Sequence, residues 1–371
     1  MKLVPENVLS FFSDSKLEFI ETLADSPYCK TFLVTLENAT YILKCFPYEV
    51  AIRVVPLNEE VTHFLFVNGF DKISRKFLAL DDSTHYESED GRFWTAQEFI
   101  QADPPFDWKD CIWTEDHARE AGSVLAEMHL RAVYVEHDLT LYQINTAVLS
   151  KSRITEERTV EKALEAMKVI GEQLPDMKKN AQNLKIEKMV EKIFEELAAP
   201  SGESAHFGTM ENWLLSATVL NHGDYHPGNV LFMDGIIKAV IDFDYASFNT
   251  PAIDLGYALF MFANKTKMAG EIDSKLAREA FSEEMARAFL DGYFQTIKKM
   301  ESVQNYSFEG ALKILKPRMK LAALYTLFWV EERLSLHLAQ PKEGKPMSRE
   351  VLTFNHEKLD KIARFCLSCI V

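Results

Sequence analysis

The chain has 371 residues, of which 47% are hydrophobic and 26% are charged. A chain of this length exceeds one ordinary hydrophobic core and predicts two unequal lobes that meet at a cleft. The formal net charge of −15 argues against nucleic acids and anionic membrane surfaces as partners. The five cysteines are scattered, and no apolar run is long enough to span a bilayer, so we expect a cytoplasmic protein with reduced thiols.

The first hundred residues predict a small antiparallel sheet. Strand-like segments separated by polar turns cover residues 17–23, 30–36 and 40–46. A helix is expected from Leu57 to Asn68, and further strand-like segments lead to residue 101. Two adjacent prolines, Pro104 and Pro105, then break regular structure. We therefore expect a first lobe of residues 1–101 and a second lobe of residues 102–371.

The second lobe predicts mainly helices. Thr114 is a candidate N-cap, because Glu115 and Asp116 follow it in what would be the first helical turn. Other helical patterns cover residues 155–172, 184–198, 281–300 and 311–336. A strand-rich stretch interrupts the helices at residues 218–243.

This stretch carries the polar residues that matter most. Two β-like runs flank the turn 233–235 and predict a hairpin, which brings Asp224 and Asn229 close to Asp242. Carboxylate and amide oxygens are the ligands that Mg²⁺ prefers, and Mg²⁺ usually completes its octahedron with water and substrate phosphates. The pattern therefore indicates nucleotide chemistry.

The segment reads His222-Gly223-Asp224-Tyr225-His226-Pro227-Gly228-Asn229, followed by Ile241-Asp242-Phe243-Asp244. It resembles the signature of the aminoglycoside phosphotransferase and choline kinase superfamily, and the resemblance extends more weakly over nearly the whole chain. The spacing is also similar to the catalytic loop and Asp-Phe-Gly motif of protein kinases. The resemblance implies an α+β, two-lobed protein-kinase-like fold, with a small antiparallel-sheet lobe, a larger mainly helical lobe, and ATP and Mg²⁺ between them.

The resemblance implies a role for each motif residue. Asp224 would accept or orient the proton of a substrate hydroxyl, while Asn229 and Asp242 would hold Mg²⁺ against the ATP phosphates. His222 would brace the loop by hydrogen bonding. For His226 two roles stay open: approach to the transferred phosphate, or anchoring of the local backbone. Asp254 is expected to tie the loop to the helix that follows, with an N-cap role as the alternative.

In the first lobe, Lys44 resembles the lysine that contacts the α- and β-phosphates of ATP. Glu60, on the predicted helix, is the expected ion-pair partner, and Glu59 is the competing candidate. The phosphate-binding turn contains no glycine, so Ser26 is expected to donate its hydroxyl and backbone N–H to phosphate. Residues resembling the adenine-binding hinge are Glu98, Phe99 and Ile100.

The acceptor is expected to be a hydroxylated small molecule that carries an amine or quaternary ammonium group. Trp329, Glu331 and Glu332 lie on a late helix, and in the resembled family late helices wall the acceptor pocket; aromatic faces and carboxylates both suit cations. The alternative is that this helix packs in the core with its charges in water. Two other functions stay open: a protein Ser/Thr kinase, and a non-catalytic nucleotide-binding pseudokinase.

Overall fold

The computed structural model describes most of the chain, namely residues 4–25, 28–37, 39–77, 80–81, 83–103, 114–133, 156–174, 185–198, 209–263, 281–300, 306–338, 359–360, 362–364 and 366–367. The helices are α1 (Glu6–Phe12), α2 (Tyr48–Val67), α3 (Glu115–Arg131), α4 (Glu156–Gln173), α5 (Ile186–Ala198), α6 (Met210–Ser216), α7 (Pro251–Phe262), α8 (Glu283–Met300) and α9 (Phe308–Leu338). None of these described helices is long and apolar enough to cross a bilayer.

The strands form one larger sheet and two small ones. They are β1 (Leu17–Asp25), β2 (Lys30–Leu36), β3 (Ala39–Phe46), β4 (Lys76–Phe77), β5 (Tyr86–Glu87), β6 (Phe93–Glu98), β7 (Val219–Asn221), β8 (Val230–Met233), β9 (Ile236–Val240) and β10 (Ser247–Asn249). The larger sheet has the order β1-β2-β3-β6-β4, with β5 also paired to β6, and its pairings are antiparallel. The predicted α+β, kinase-like architecture is confirmed.

Side-chain alternation along β3 sets the two faces of the larger sheet. Tyr41, Leu43 and Cys45 are buried and pack in one cluster with Val8 and Phe12 of α1. Because successive strand residues point to opposite faces, Lys44 lies on the face away from this cluster. The sheet therefore presents Lys44 toward the second lobe, where it reaches Asp242.

Helix α2 begins at Tyr48, earlier than the predicted start at Leu57. Pro56 lies inside this helix, although proline removes a main-chain hydrogen bond. Both Pro56 and Ile52, whose carbonyl loses its partner, are exposed, so water can satisfy the lost bond. A proline is tolerated inside a helix on this solvent-facing side.

The large hydrophobic core includes residues from both sides of the expected boundary near residue 102. The inner face of α2, with Leu57, Val61 and Leu65, belongs to the large core of the helical part, together with α3, α7 and α8. Phe70 and Ile73, which follow α2, join the same core. Residues 57–73 therefore connect the sheet to the helices through side-chain packing as well as through the chain.

Two glycines allow α3 and α8 to cross with their main chains in contact. A Cβ atom at Gly122 would lie 2.0 Å from the carbonyl oxygen of Phe289, and one at Gly292 would lie 2.0 Å from that of Arg119. Ser123 adds a hydrogen bond of 3.1 Å from its Oγ to the Gly292 carbonyl. Any side chain at either glycine would push the helices apart.

The hairpin predicted around residues 233–235 is confirmed as the pair β8–β9. Asp234 and Gly235 form its turn with φ values of 55° and 77°, as a two-residue hairpin loop requires. The main-chain N–H of Ile241 donates to the carbonyl of Asn229 at 3.0 Å just beyond the paired residues. The hairpin thus brings the segments before β8 and after β9 side by side.

Replacing Gly122 or Gly292 with alanine should lower the free energy of unfolding by about 3 kcal/mol, the upper part of the usual cost of overpacking. Urea unfolding followed by circular dichroism measures the change. Gln295→Ala is the control, because Gln295 lies exposed on the same helix as Gly292. A glycine variant as stable as this control would show that the helices separate without cost.

Candidate active site

The loop between β7 and β8 is held by the buried carboxylate of Asp254, in the first turn of α7. Its Oδ2 accepts the main-chain N–H of His222 at 2.5 Å, and its Oδ1 accepts that of Gly223 at 2.8 Å. The N-cap residue of α7 is Thr250, so Asp254 does not serve as the N-cap. Asp254 therefore ties the loop to the helix.

Gly223 has a geometry that only glycine fits. Its φ is +81°, and a Cβ atom would lie 2.2 Å from the carbonyl oxygen of Tyr245. The glycine of the His-Gly-Asp motif therefore permits both the left-handed backbone and the close approach of the segment that follows β9.

The side chain of His222 braces the loop from inside. Its Nε2 contacts the carbonyl oxygen of Ile241 at 2.9 Å, and its Nδ1 accepts the main-chain N–H of Asp224 at 3.2 Å. These partners assign the proton to Nε2. Burial lowers the pKa of His222 and keeps the ring neutral. The ring joins the loop between β7 and β8 to the segment that leads from β9 to Asp242.

The carboxylate of Asp224 has donors on both oxygens. Oδ1 accepts the hydroxyl of Tyr257 at 2.5 Å, Oδ2 accepts Nδ2 of Asn229 at 3.2 Å, and Nε2 of His226 lies 3.5 Å from Oδ2. Burial alone would raise the pKa of Asp224. The interactions with His226 and the hydrogen bond from Tyr257 lower it by more, and the resulting pKa is about 2. Asp224 is therefore ionised at neutral pH.

The histidine at position 226 also shapes the short turn after Asp224. Its Nδ1 accepts the main-chain N–H of Gly228 at 2.9 Å and caps the 3-10 turn Pro227–Asn229. Of the two roles left open for His226, the anchoring contact is present in the structure. The ring nitrogen on the other side faces Asp224, so one side chain performs both contacts.

Asp242 and Lys44 join the two lobes. Lys44 Nζ lies 3.0 Å from Asp242 Oδ1, and the positive charge of Lys44 holds the pKa of Asp242 below its ordinary value. Burial lowers the pKa of Lys44, but Asp242 and Asp244 outweigh burial and raise it. The backbone of Asp242 has φ 70°, a left-handed conformation that aspartate tolerates better than most residues. The predicted site residues of the two lobes are thus in direct contact.

The predicted pairing of Lys44 with Glu60 is wrong: among the described residues, the carboxylate within ion-pair distance of Lys44 is that of Asp242. The inward position on α2 is taken by Asn58, whose Nδ2 donates to Asp244 at 2.5 Å. Two residues along a helix correspond to about 200° around its axis, so Glu60 faces elsewhere. Burial and the neighbouring Glu59 raise the pKa of Glu60.

The donor set around Asp242 fits Mg²⁺. Asn229 directs its Nδ2 to Asp224, at 3.0 Å from the main-chain oxygen, so its side-chain oxygen is the atom left to a metal ion. Asp242 adds a carboxylate, and burial together with Asp242 raises the pKa of the neighbouring Asp244 to about 6. Within the described residues, no three His, Cys, Asp or Glu side chains form a metal site. Mg²⁺ is commonly held by one or two carboxylates plus substrate phosphates.

The remaining nucleotide-binding predictions concern the first lobe. Ser26 lies outside the described residues. Glu98 ends β6, where its N–H donates to the Arg75 carbonyl at 2.8 Å and its carbonyl accepts the Ser74 hydroxyl at 2.9 Å. Both main-chain groups of Glu98 are therefore engaged within the lobe. Phe99 and Ile100, the other two residues of the predicted hinge, come directly after the end of β6.

The predicted acceptor residues lie on α9 and are already engaged with protein groups. Trp329 has the guanidinium of Arg333 over its ring, 5.2 Å from the ring centroid. Glu331 accepts the hydroxyl of Ser335 at 2.8 Å on the same helix. Glu332 instead accepts a hydrogen bond from Tyr28 of the first lobe. Of the three residues, Glu332 contacts the opposite lobe.

The structure adds residues that the sequence did not indicate. Asp254 also lies 3.2 Å from Nε2 of His129, whose Nδ1 lies 2.8 Å from the hydroxyl of Tyr293. Trp213 donates its indole N–H to the same hydroxyl at 3.0 Å. These side chains come from α3, α6 and α8, and a histidine on an apolar helix face gives no sequence signal of such a partner. The sequence likewise gave no signal that Tyr257 contacts Asp224.

Comparison with solved structures gives the same fold at low sequence identity. An amicoumacin kinase, hAmiN, has a TM-score of 0.57 at 14% identity, covering 96% of this chain and 91% of that chain. Spectinomycin phosphotransferase APH(9)-Ia has a TM-score of 0.56 at 14% identity, covering 97% and 92%. An ethanolamine kinase from Plasmodium vivax has a TM-score of 0.54 at 14% identity, covering 99% and 84%.

A comparison with curated protein sequences gave no significant match. The family model described as "Phosphotransferase enzyme family" matches residues 30–304. This match spans more than half of the 371 residues and includes β3, the loop between β7 and β8, and the β8–β9 hairpin. The chain therefore belongs to the phosphotransferase enzyme family.

Proposed function

We propose that this protein transfers the γ-phosphoryl group of Mg-ATP to a hydroxyl group of a small molecule. The observation that carries the proposal is the meeting of Lys44 and Asp242, 3.0 Å apart, beside a loop whose Asp224 and Asn229 are hydrogen-bonded to each other. One lobe thus supplies a cation suited to phosphate and the other supplies a base and metal ligands. The amicoumacin kinase was solved with AMP-PNP and the spectinomycin phosphotransferase with ADP, which supports the nucleotide assignment.

In this mechanism Lys44, which lies beside Asp242, binds the nucleotide phosphates. Asp224 accepts a hydrogen bond from the acceptor hydroxyl, orients its oxygen toward the γ-phosphorus and takes its proton as the oxygen–phosphorus bond forms; ADP is the leaving group. Because its pKa is held low, Asp224 is a weak base and takes the proton late in the reaction. This suits phosphoryl transfer, whose loose transition state depends mainly on positioning.

Asp242 and Asn229 are the residues that hold Mg²⁺ in this proposal. Held there, Mg²⁺ would supply the positive charge that neutralises the nucleotide phosphates. The adenine base is received by the main chain at Phe99 and Ile100, since Glu98 is engaged by Arg75 and Ser74. Ser26, which lies between β1 and β2 in the sequence, is proposed as a phosphate contact.

For the acceptor we propose a hydroxylated small molecule that carries an amine. The net charge of −15 favours cationic over anionic acceptors. The name of one structural neighbour gives ethanolamine, an amino alcohol, as its substrate. Glu332 carries this proposal better than Trp329 or Glu331, because its partner Tyr28 belongs to the first lobe, whereas the partners of Trp329 and Glu331 lie on α9 itself.

A coupled assay of ADP formation tests the function across four acceptor classes: amino alcohols, aminoglycosides, neutral sugars and a generic protein. Turnover that depends on Mg²⁺ and an amine-bearing acceptor supports the proposal. Transfer to protein alone would make the chain a protein kinase. Nucleotide binding without any acceptor-dependent turnover would favour the pseudokinase alternative.

Changing Asp224 to asparagine should lower turnover by roughly 10²- to 10⁴-fold, because a positioned base contributes on that scale. Binding of Mg-ATP should change little, since Asp224 is not a phosphate contact in the mechanism. Turnover with the best acceptor of the screen and titration with Mg-ATP measure the two effects. Asp291→Asn is the control, as Asp291 pairs with Tyr306 outside the site. Full turnover in Asp224→Asn would remove Asp224 from the chemistry.

Lys44→Ala and Asp242→Ala should each reduce the thermal stabilisation produced by Mg-ATP. A ligand at 100 times its Kd stabilises the native state by about 2.7 kcal/mol, and this gain shrinks as affinity falls. Differential scanning fluorimetry with and without Mg-ATP measures it. Lys72→Ala serves as the matched control, because Lys72 is ion-paired at 2.7 Å with Glu127 on α3. Thermal shifts equal to wild type would assign Lys44 and Asp242 to structure alone.

Glu332→Gln should raise KM for an amine-bearing acceptor about fivefold, which corresponds to the loss of a partly exposed ion pair worth about 1 kcal/mol. KM for ATP should stay unchanged. Steady-state kinetics with the acceptor chosen by the screen separates these constants. Glu309→Gln is the control, as Glu309 pairs with Arg287 at the far end of α9. Equal KM values for wild type and Glu332→Gln would exclude Glu332 from acceptor recognition.

A further inference from the structure

We propose that Tyr257 is a positioning residue for the phosphotransfer reaction: its hydroxyl fixes the carboxylate of Asp224 in the orientation that receives the acceptor proton. The inference rests on the proposed function, because it assigns Asp224 as the base. Its direct observation is the hydrogen bond of 2.5 Å from the Tyr257 hydroxyl to Asp224 Oδ1.

Two residues of α7, about one helical turn apart, hydrogen-bond to the loop between β7 and β8. Asp254 binds the main-chain N–H groups of His222 and Gly223, while Tyr257 binds the Asp224 side chain. Residues three apart share a helix face, so one face of α7 fixes both the loop backbone and the carboxylate. The rotation of this carboxylate is then set by a helix rather than by a loop.

The two oxygens of Asp224 have different surroundings. Asn229 and His226 both face Oδ2, and both come from the loop that carries Asp224. Tyr257 is the contact of Oδ1 from outside the loop. Without the phenol, rotation of the carboxylate would be limited on the Oδ2 side alone. A carboxylate has about four lone-pair sites, so the tyrosine on Oδ1 still leaves a site for an acceptor hydroxyl.

The environment of Tyr257 keeps its hydroxyl a donor. Burial, Asp224 and the hydrogen bond to Asp224 raise the pKa of Tyr257 well above its ordinary value. The phenol also belongs to a helix whose other residues are largely buried, including Leu255, Gly256 and Ala258. A rigid donor at fixed distance is what the proposed role requires.

The test is a double-mutant cycle on turnover, with Tyr257→Phe made in the wild type and in Asp224→Asn. In the wild type, Tyr257→Phe should lower kcat about 10- to 100-fold, the effect of losing one hydrogen bond to a charged group, with KM for ATP unchanged. In Asp224→Asn the same change should have less than a twofold effect. Mg-ATP and the best acceptor from the screen are the substrates.

Tyr306→Phe is the matched control, because Tyr306 also donates its hydroxyl to an aspartate, Asp291, at 3.1 Å but away from the site. It should keep wild-type kcat whatever its effect on melting temperature. Introducing 3-fluorotyrosine at position 257 retains the hydroxyl and the shape of the ring, and should restore kcat to within a fewfold of wild type. This variant keeps the test valid if Tyr257→Phe folds poorly.

Equal loss of kcat in both backgrounds would overturn the proposal, because Tyr257 would then act independently of Asp224. A gain of turnover in Tyr257→Phe would overturn it too, since the phenol would then compete with the acceptor hydroxyl. A melting-temperature cycle between the same two positions without nucleotide reports the contact itself. If the cycle shows coupling while Asp224→Asn retains full turnover, the failure belongs to the proposed function and not to the Tyr257 contact.

Discussion

The site depends on the buried carboxylate of Asp254. Removed from water, it depends on the donors around it, which among the described residues are two consecutive loop N–H groups at 2.5 and 2.8 Å and His129 at 3.2 Å. Hydrogen bonds to a charged group contribute about 1.5–3 kcal/mol each, and a buried charge that loses them is costly. The loop conformation, including the left-handed Gly223, is therefore the one that satisfies this charge. This loop conformation in turn sets the positions of Asp224 and Asn229.

The short-range part of this arrangement could be read from the sequence. Asp234 and Gly235 specify a tight turn, and alternation in the flanking strands sets the register, so the approach of Asn229 to Asp242 follows from local chemistry. The α+β architecture and the helix capped by Thr114 follow from periodicity in the same way. The motif resemblance then supplied what periodicity could not, namely which polar residues meet.

The long-range contacts could not be read from the sequence. The partner of Lys44 is 198 residues away, and the partners of His129 lie on helices whose crossing depends on the whole core. The prediction that Glu60 pairs with Lys44 was wrong because the sequence does not show which side of α2 faces inward. The helix buries a polar residue, Asn58, among apolar neighbours and carries an apolar one, Pro56, on its outer side. Tyr257 looked like one more core residue of an apolar helix, because nothing in PAIDLGYAL distinguishes a tyrosine that meets an aspartate from one that packs against leucine.

The main-chain contact between α3 and α8 bears on how such a chain diverges. At Gly122 and Gly292 the main chains of the two helices are in contact. The spacing of the helices therefore does not depend on side-chain rotamers at the crossing. Neighbouring core positions can exchange volumes without moving the two axes, whereas a methyl group at either glycine displaces both. His129 on α3 and Tyr293 on α8 lie within two turns of these glycines and meet across the same crossing. The two glycines thus set the distance between His129 and Tyr293, and with it the hydrogen bonds that lead to Asp254. Other core positions can change without altering this distance.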